Sequence, residues 1–235
     1  MIDLHEFDSA WRGQPIGIVS DTALFGLSRS HIAELCEAYE WVEFRSPASA
    51  PVPIGSLASS GFIKLDTQVN FRLDLIKFSP KPVPGLKTIT SAERAIEPDL
   101  SVARPFEHER FATLPGVDYG SVNRRYTVWA RKLCREAPEW CVAVEHEGRI
   151  QGWYFSQPTA GSELNLTLGA SSRDAEVSGT DIYRAAFARY FEAGASIGSA
   201  SFSVKNMAAM NIYSSFGARF TGAIDFWIRS PKWAP

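Results

Sequence analysis

The feature that most constrains the fold is an order of elements that occurs twice in the sequence. Residues 28–76 predict a helix, a strand, a short helix and an alternating strand, and residues 179–229 predict the same four elements. Each short helix carries two adjacent serines and closes on a glycine, Gly61 or Gly217, where a left-handed residue ends a helix. Order, lengths and helix endings agree together, which favours an internal duplication over the ordinary alternation of elements in an α/β protein.

A proline-rich segment separates the two copies. Pro80, Pro82 and Pro84 occupy alternate positions, and this spacing favours extended polyproline geometry and cannot continue a sheet. We therefore predict three parts: a smaller domain over residues 1–79, a linker over 80–86 and a larger domain over 87–235.

The stretch between the linker and the second copy predicts further elements. A short strand is followed by a helix-biased stretch over residues 89–111 and by an amphipathic helix over 121–137. Two strands about the turn Glu147-Gly148 then form a hairpin, and residues 162–170 alternate as a third strand. The predicted fold class is α/β (α+β), with a mixed central sheet flanked by helices.

Composition excludes several classes of function. The net charge is only −2 and no block of lysine and arginine occurs, so a nucleic-acid partner is disfavoured. There is no apolar run long enough for a membrane span, and the acidic start is unlike a secretory signal. Three cysteines without a CxxC pair indicate free thiols in the cytoplasm, and four scattered histidines predict no metal site.

One segment of the second copy points to a chemistry. Residues 206–220, NMAAMNIYSSFGARF, place Asn206 and Tyr213 seven residues apart, on the same side of a helix. The segment, in this order of elements, resembles the closing motif of the GNAT superfamily of acetyl-CoA-dependent N-acetyltransferases. The resemblance spans roughly residues 87–229, and the N-terminal half resembles a truncated copy of the same fold.

The resemblance implies an acyl transfer from acetyl-CoA to an amino group. It gives Tyr213 the role of the catalytic acid that protonates the departing thiolate. It also implies that Asn206 and Met210 contact the pantetheine arm of the coenzyme. The other interpretation makes Tyr213 a packed core aromatic and Asn206 a helix cap. In the first copy Leu57 takes the place of Tyr213, so we expect that copy to be chemically silent.

The pyrophosphate loop of the family is matched only in part. In DAEVSGTDIY, Asp174 and Val177 stand where the family has a basic residue and a glycine, and only Gly179 is kept. Backbone N–H groups at a helix start bind a diphosphate whatever the side chains, although Asp181 would oppose the anion and Arg173 would offset it. A plain capped helix start is the alternative. The implied coenzyme contacts are Thr167, Leu168, Gly169, Arg173, Val177, Ser178, Gly179, Thr180 and Asp181.

The acceptor region of the family lies in its first two helices and their connection. The candidate substrate residues are His108, Arg110, Phe111 and Tyr119, with Glu163 on a strand; Glu163 and His108 are also candidate bases. A finer resemblance, to bacterial enzymes that acetylate a dTDP-linked 4-amino deoxysugar, implies a nucleotide amino sugar as acceptor.

Two other functions remain open. In the first, the protein acetylates another small amine or an antibiotic. In the second, it binds acyl-CoA without catalysis. The final strand, 222–229, is aromatic and is predicted to be exposed, which would allow a homodimer.

Overall fold

The computed structural model describes residues 1–50 and 54–233. Within these residues the chain forms ten β-strands and seven α-helices. In chain order they are β1 (Ile2–Leu4), α1 (Glu6–Arg12), β2 (Ile16–Val19), α2 (Arg29–Cys36), β3 (Trp41–Pro47), α3 (Ile54–Ser59), β4 (Ile63–Asp74), α4 (Leu75–Phe78), β5 (Leu86–Thr90), α5 (Tyr119–Glu136), β6 (Cys141–His146), β7 (Arg149–Pro158), β8 (Glu163–Ser171), α6 (Gly179–Glu192), β9 (Ile197–Ser203), α7 (Met207–Ser215) and β10 (Arg219–Arg229).

The chain divides into two compact units. The first unit comprises Met1–Val69 with Gly222–Pro235, and the second comprises Asn70–Thr221. The chain passes from one unit to the other within β4 and returns within β10. The predicted linker, 80–86, lies inside the second unit as the irregular segment between α4 and β5. The division into domains at this linker stays a prediction.

The sheet of the first unit has the strand order β1-β2-β3-β10-β4. β2 and β3 are parallel, and β10 runs antiparallel to β3. Its core is formed by α2, α3 and one face of this sheet, with Leu24, Ile32, Val42 and Leu57 among the fully buried side chains. Burial along these strands runs in consecutive blocks, over 41–44 in β3 and 225–228 in β10, so side chains on both faces of the sheet are covered there.

The final strand is not an exposed edge. β10 lies between β3 and β4 in the sheet of the first unit, and Phe226, Trp227 and Ile228 are buried. The expectation of an exposed final strand is therefore wrong, and with it the reason for a homodimer. β10 has a neighbouring strand on each edge, β3 on one side and β4 on the other, because the chain returns to the sheet of the first unit between strands that precede it in sequence.

The sheet of the second unit has the order β4-β9-β8-β7-β6-β5. β5 to β8 form an antiparallel meander, and β8 is parallel to β9. Helices α6 and α7 pack on one face, here called the α6 face, and helix α5 packs on the other, the α5 face. Each face has its own apolar core, so the sheet is buried on both sides where helices cover it.

The short helices of the two copies end in the same way. Gly61 and Gly217 have φ values of +79° and +80°, the left-handed conformation predicted for both. The N–H of the next residue donates to a carbonyl five residues earlier, Leu57 after α3 (2.9 Å) and Tyr213 after α7 (3.0 Å). The same pair of positions, Leu57 and Tyr213, is therefore equivalent in the two copies by geometry as well as by sequence.

One predicted helix is absent. The stretch 89–111 begins in β5 and continues as irregular chain with short 3₁₀ turns at Leu100–Val102 and Arg110–Thr113. Pro98 and Pro105 interrupt the stretch, and a proline removes a helical hydrogen bond and clashes with the preceding turn. The two prolines therefore outweigh the helix-favouring composition of this stretch.

Candidate functional site

The parallel strands β8 and β9 of the second unit separate along their length. They pair over three residues, the last being Asn165 opposite Ser199. β8 then continues to Ser171 without a further pair to β9 among the described residues. Alternate residues of a strand direct their N–H and C=O groups to the same edge, so this edge of β8 offers backbone donors and acceptors to a ligand.

A β-bulge lies where the strands begin to separate. Phe155 of β7 faces Leu168, and Gln157 faces Asn165, so two steps along β7 span three steps along β8. The extra residue of β8 therefore falls between Asn165 and Leu168. Bulges bend a strand and redirect its side chains, and they are frequent beside active sites.

The bulge changes which face the residues of β8 meet. Leu164 and Leu166 belong to the core of the α6 face, whereas Leu168 and Ala170 belong to the core of the α5 face. In a regular strand all four would share one face. The predicted contact residues Thr167 and Gly169 are half-buried beside the separation, and Leu168 is buried.

Tyr213 lies inside an aromatic cluster on the α6 face. Its side chain is only 5% exposed, and its ring centroid is 4.0 Å from that of Phe71. Its hydroxyl oxygen is 2.5 Å from that of Tyr154 on β7. Burial, and then the neighbouring phenol of Tyr183, raises the pKa of Tyr213 well above its ordinary value, so the hydroxyl keeps its proton at neutral pH. Tyr213 is packed as the alternative interpretation has it, and its catalytic role stays a prediction.

Gly169 has a structural reason to lack a side chain. A Cβ atom there would lie 2.6 Å from the hydroxyl oxygen of Tyr183 and 2.9 Å from the ring of Tyr154. The two rings meet edge to face, with centroids 4.9 Å apart. Burial raises the pKa of Tyr183 to about 12. The absence of a side chain at residue 169 thus lets this cluster approach β8.

The start of helix α6 lies near the far end of β8. Ser178 caps the helix: its hydroxyl accepts the N–H of Asp181 (3.1 Å) and donates to the Asp181 carboxylate (2.7 Å). Ser178 thus caps the helix and Asp181 places a negative charge there, while the diphosphate role of this helix start stays a prediction. A Cβ on Gly179 would be 3.8 Å from Ser171 Oγ, which locates the helix start beside the end of the strand.

Other predicted coenzyme contacts have internal partners. Asn206 is the N-cap of α7, and its Oδ1 accepts the N–H of Ala209 at 3.0 Å. Arg173 is exposed and donates to the carbonyl of Ser101 at 3.2 Å. Val177 and Met210 are half-buried, and Val177 packs against the core of the α6 face. The coenzyme roles of these residues stay predictions.

A groove of about 400 Å³ opens in the second unit beside the paired ends of β8 and β9. Its lining residues are Asn70, Phe71, Arg72, Glu163, Asn165, Ser199, Ala200, Ser201 and Thr221. Phe71, Leu164 and Ala200 pack against the α6 face. Successive side chains of a strand point to opposite faces, so their polar sequence neighbours, such as Arg72, Glu163 and Ser199, point to the α5 face. The structure thus brings the predicted residue Glu163 into a polar groove at the strand separation.

The other predicted acceptor residues do not line this groove. Phe111 is fully buried, and Arg110 stacks on its ring at 4.3 Å while it pairs with Glu109 at 3.3 Å. His108 and Tyr119 are exposed elsewhere on the second unit. The guanidinium of Arg110 is therefore engaged in contacts within the protein. Sequence composition does not reveal such tertiary contacts.

Solved structures of several proteins share this arrangement of elements. A GCN5-related N-acetyltransferase from Sphaerobacter thermophilus has a TM-score of 0.58 at 17% identity, over 86% of this chain and 63% of that protein. A GCN5-related N-acetyltransferase from Kribbella flavida has a TM-score of 0.57 at 12% identity, over 92% and 81%. A tandem GNAT protein from the clavulanic acid biosynthesis pathway has a TM-score of 0.55 at 17% identity, over 95% and 77%. The chain has the GNAT fold.

The GNAT fold confirms the predicted fold class, a mixed sheet flanked by helices. No protein-family profile and no curated protein matches the sequence. The chain spans less than two thirds of the Sphaerobacter protein. The similarity therefore establishes the fold alone, because one fold supports many functions.

Two partners of the candidate site residues were not predicted from the sequence. Tyr154 partners Tyr213 across 59 residues of sequence, and only tertiary structure brings them together. Arg72 lines the groove with Glu163, although the alternation Asn70-Phe71-Arg72 does signal a strand with one polar face.

The described residues hold neither a membrane-spanning helix nor a metal-binding cluster. No helix in residues 1–50 and 54–233 combines the length and apolar character of a bilayer span. The same residues contain no cluster of three or more His, Cys, Asp or Glu side chains that would hold a metal ion.

Proposed function

We propose that the chain is an acetyl-CoA-dependent N-acetyltransferase that acts on a small-molecule amine. The observation that carries the proposal is the separation of β8 from β9 after Asn165, which lies in a GNAT fold between a polar groove and the start of helix α6. A ligand in this opening meets a strand edge, a helix N-terminus and a polar groove at once. An ordinary parallel pair, hydrogen-bonded along its whole length, would leave no such opening.

The chain offers backbone groups to hold the coenzyme. Acetyl-CoA supplies an acetyl group that is activated as a thioester. The edge of β8 over Leu166–Ser171 pairs with the pantetheine amides, in the manner of an added strand. The N–H groups of Gly179 and Thr180, at the positive end of α6, face the diphosphate. Asp181 weakens this anion site, and the N-cap Ser178 keeps that carboxylate hydrogen-bonded.

The chain also offers groups that move protons. Attack by the amine forms the new C–N bond and breaks the C–S bond, so the nitrogen loses a proton and the sulfur gains one. Tyr213 carries the proton for the sulfur, and its raised pKa keeps that proton in place until it is needed. Tyr154 is hydrogen-bonded to Tyr213 and orients its hydroxyl, and Tyr213 regains a proton from water after the thiol has formed. Glu163 in the groove lies about three residues from the opening and accepts the amine proton through intervening water.

A second candidate function is acyl-CoA binding without catalysis. The observations that favour it are the burial of Tyr213 within the aromatic cluster and the carboxylate of Asp181 at the helix start. Under this alternative Tyr154 and Tyr213 contribute only to packing. The opening between the strands then binds the coenzyme without turnover.

Finer aspects of the function stay predictions. A nucleotide-linked amino sugar is the acceptor that the sequence resemblance implies, and another small amine or an antibiotic is the alternative. Arg110, a candidate acceptor residue, is packed on the ring of Phe111. The three cysteines are free thiols, which supports the cytoplasmic location that we propose.

The test combines coenzyme titration with an assay of thiol release. Acetyl-CoA is mixed with the protein and with simple amines, aminoglycosides, amino acids or a dTDP-4-amino sugar in turn. The proposal expects binding of acetyl-CoA and acceptor-dependent thiol release. Binding without release from any acceptor would favour the non-catalytic alternative, and absence of coenzyme binding would refute both.

A further inference from the structure

The charges that line the groove form one pair. Arg72 Nη2 and Glu163 Oε1 are 2.8 Å apart, and the two side chains are 55% and 44% exposed. Among the described residues that line the groove, the remaining polar groups are neutral amides and hydroxyls, from Asn70, Asn165, Ser199, Ser201 and Thr221. The groove therefore combines one cation and one anion at close range, with no net charge.

This pattern matches a ligand that also carries one charge of each sign. A carboxylate can bond to a guanidinium through two parallel N–H groups, and an ammonium can bond to the carboxylate of Glu163. A nucleotide diphosphate carries at least two negative charges. It would meet a single, already paired guanidinium and would lie beside the anion Glu163, which selects against it.

The position of the pair sets the length of the ligand. The strand separation begins at Leu166, three residues along β8 from Glu163, which corresponds to about 10 Å at about 3.3 Å per residue. A head group bound at Arg72 and Glu163 thus lies several carbon atoms away from an amine at the opening. The reacting amine must be a second one, at the far end of an aliphatic chain.

We propose that the acceptor is a small diamino acid. Its α-ammonium and α-carboxylate bind across Glu163 and Arg72, and its terminal amine reaches the opening between β8 and β9. This assignment rests on the proposed acetyl transfer, and it names the acceptor class of the same site. Transfer forms the amide at the terminal nitrogen, releases the free thiol of coenzyme A, and passes the amine proton to water at the opening.

The first experiment compares four probes by ligand-observed NMR titration against the whole protein. L-lysine and L-ornithine carry the complete head group, cadaverine lacks the carboxylate, and 6-aminohexanoate lacks the α-amine. Loss of either charge-assisted contact is expected to weaken binding by about 10-fold or more. Equal binding of all four probes would overturn the proposal, and so would tighter binding of a dTDP-4-amino sugar than of either amino acid.

The second experiment uses variants with a matched control. Arg72→Gln and Glu163→Gln are each expected to weaken lysine binding by about 10-fold. Arg149→Gln breaks an ion pair of similar exposure, Arg149–Glu176, outside the groove lining, and should leave binding unchanged. If Arg72→Gln binds lysine as well as the unaltered protein, the proposed head-group site is wrong.

Thiol release, measured separately, distinguishes this inference from the proposed function. Head-group-dependent binding without release retains the site and refutes the transferase. Release with a nucleotide amino sugar, but not with diamino acids, retains the transferase and refutes the acceptor class.

Discussion

The closing helices of the two copies, α3 and α7, have the same local framework and different chemistry. Both end at a left-handed glycine, and in both the carbonyl at the equivalent position accepts the same capping hydrogen bond. Leu57 in α3 is fully buried in an apolar core. Tyr213 in α7 is also buried, yet it carries a hydroxyl that is hydrogen-bonded to Tyr154. The framework therefore does not require the phenol.

The parallel strand pairs that precede these helices differ in the same sense. β2 pairs with β3 through Ile18 and ends one residue later, at Val19. β8 pairs with β9 through Asn165 and continues to Ser171, with a bulge on the way. Among the described residues, the second copy combines an extended strand edge beyond its parallel pairing with a buried phenol pair, and the first copy has neither. The comparison teaches that scaffold and site are separable in this chain.

The largest expected effect is on stability, from the first copy. Leu57→Ala should lower the free energy of unfolding by about 2–5 kcal/mol, because it leaves a cavity in a closed apolar core. Denaturant unfolding measures this value, with Ile54→Ala, at a position 62% exposed, as the control that changes little. Thiol release per folded molecule should stay constant. A selective loss of turnover would show that the first copy takes part in the function.

The next effect is catalytic, from the equivalent residue of the second copy. Tyr213→Phe should lower kcat by about 100-fold while coenzyme affinity is kept, because the proton donor is lost. Tyr154→Phe is the matched control, since it removes the same hydrogen bond and leaves the phenol of Tyr213. Its kcat should fall by less than about 10-fold. Equal losses in the two variants would assign the effect to the hydrogen bond and not to proton donation.

A smaller effect compares two glycines of the second unit. Gly169→Ala should cost about 1–3 kcal/mol of stability, because the new methyl group overlaps the phenols of Tyr183 and Tyr154. Gly179→Ala should change stability by less than about 0.5 kcal/mol, since its nearest neighbour would be 3.7 Å away. Thermal and denaturant unfolding of both variants check this contrast. Similar stabilities of the two variants would mean that the phenols of Tyr183 and Tyr154 leave room for a methyl group at residue 169.

The smallest effect depends on pH and on the buried phenols of the second unit. Below pH 10 the phenol of Tyr183 is protonated in both states, so its contribution to stability is constant. Above pH 10 the unfolded chain loses the proton first, because burial raises the folded-state pKa to about 12, and the free energy of unfolding falls. At pH 11 this loss should be about 1.4 kcal/mol smaller in Tyr183→Phe than in the unaltered chain. If the free energy of unfolding depended on pH in the same way in both proteins, the raised pKa of Tyr183 would be contradicted.

Local patterns in the sequence predicted much of the fold. The strand predicted between the two helices of the first copy lies at Trp41–Pro47, α6 begins at the predicted Gly179, and the turn at Glu147-Gly148 has positive φ at both residues. These elements depend on alternation, capping and turn chemistry, which neighbouring residues determine. Where a pattern conflicted with proline, as in 89–111, the prediction failed.

The site was less predictable, because distant residues build it. Tyr213 and Glu163 stood out by type and spacing, but the hydrogen bond to Tyr154 and the ion pair to Arg72 join parts of the chain far apart in sequence. The bulge in β8 is visible only in its register with β7. Arg110 stood out as a candidate acceptor residue, but its contact with the ring of Phe111 depends on the tertiary structure.

The most direct test of the central claim is amide hydrogen exchange with and without coenzyme A. The account predicts slower exchange over Leu166–Ser171 of β8 and at Gly179 and Thr180, because bound coenzyme occupies these backbone groups. Exchange in Ile16–Val19 of the first copy should not change. Saturating coenzyme A that leaves β8 unprotected, or that protects β2 equally, would contradict the assignment of the site to the separated strands.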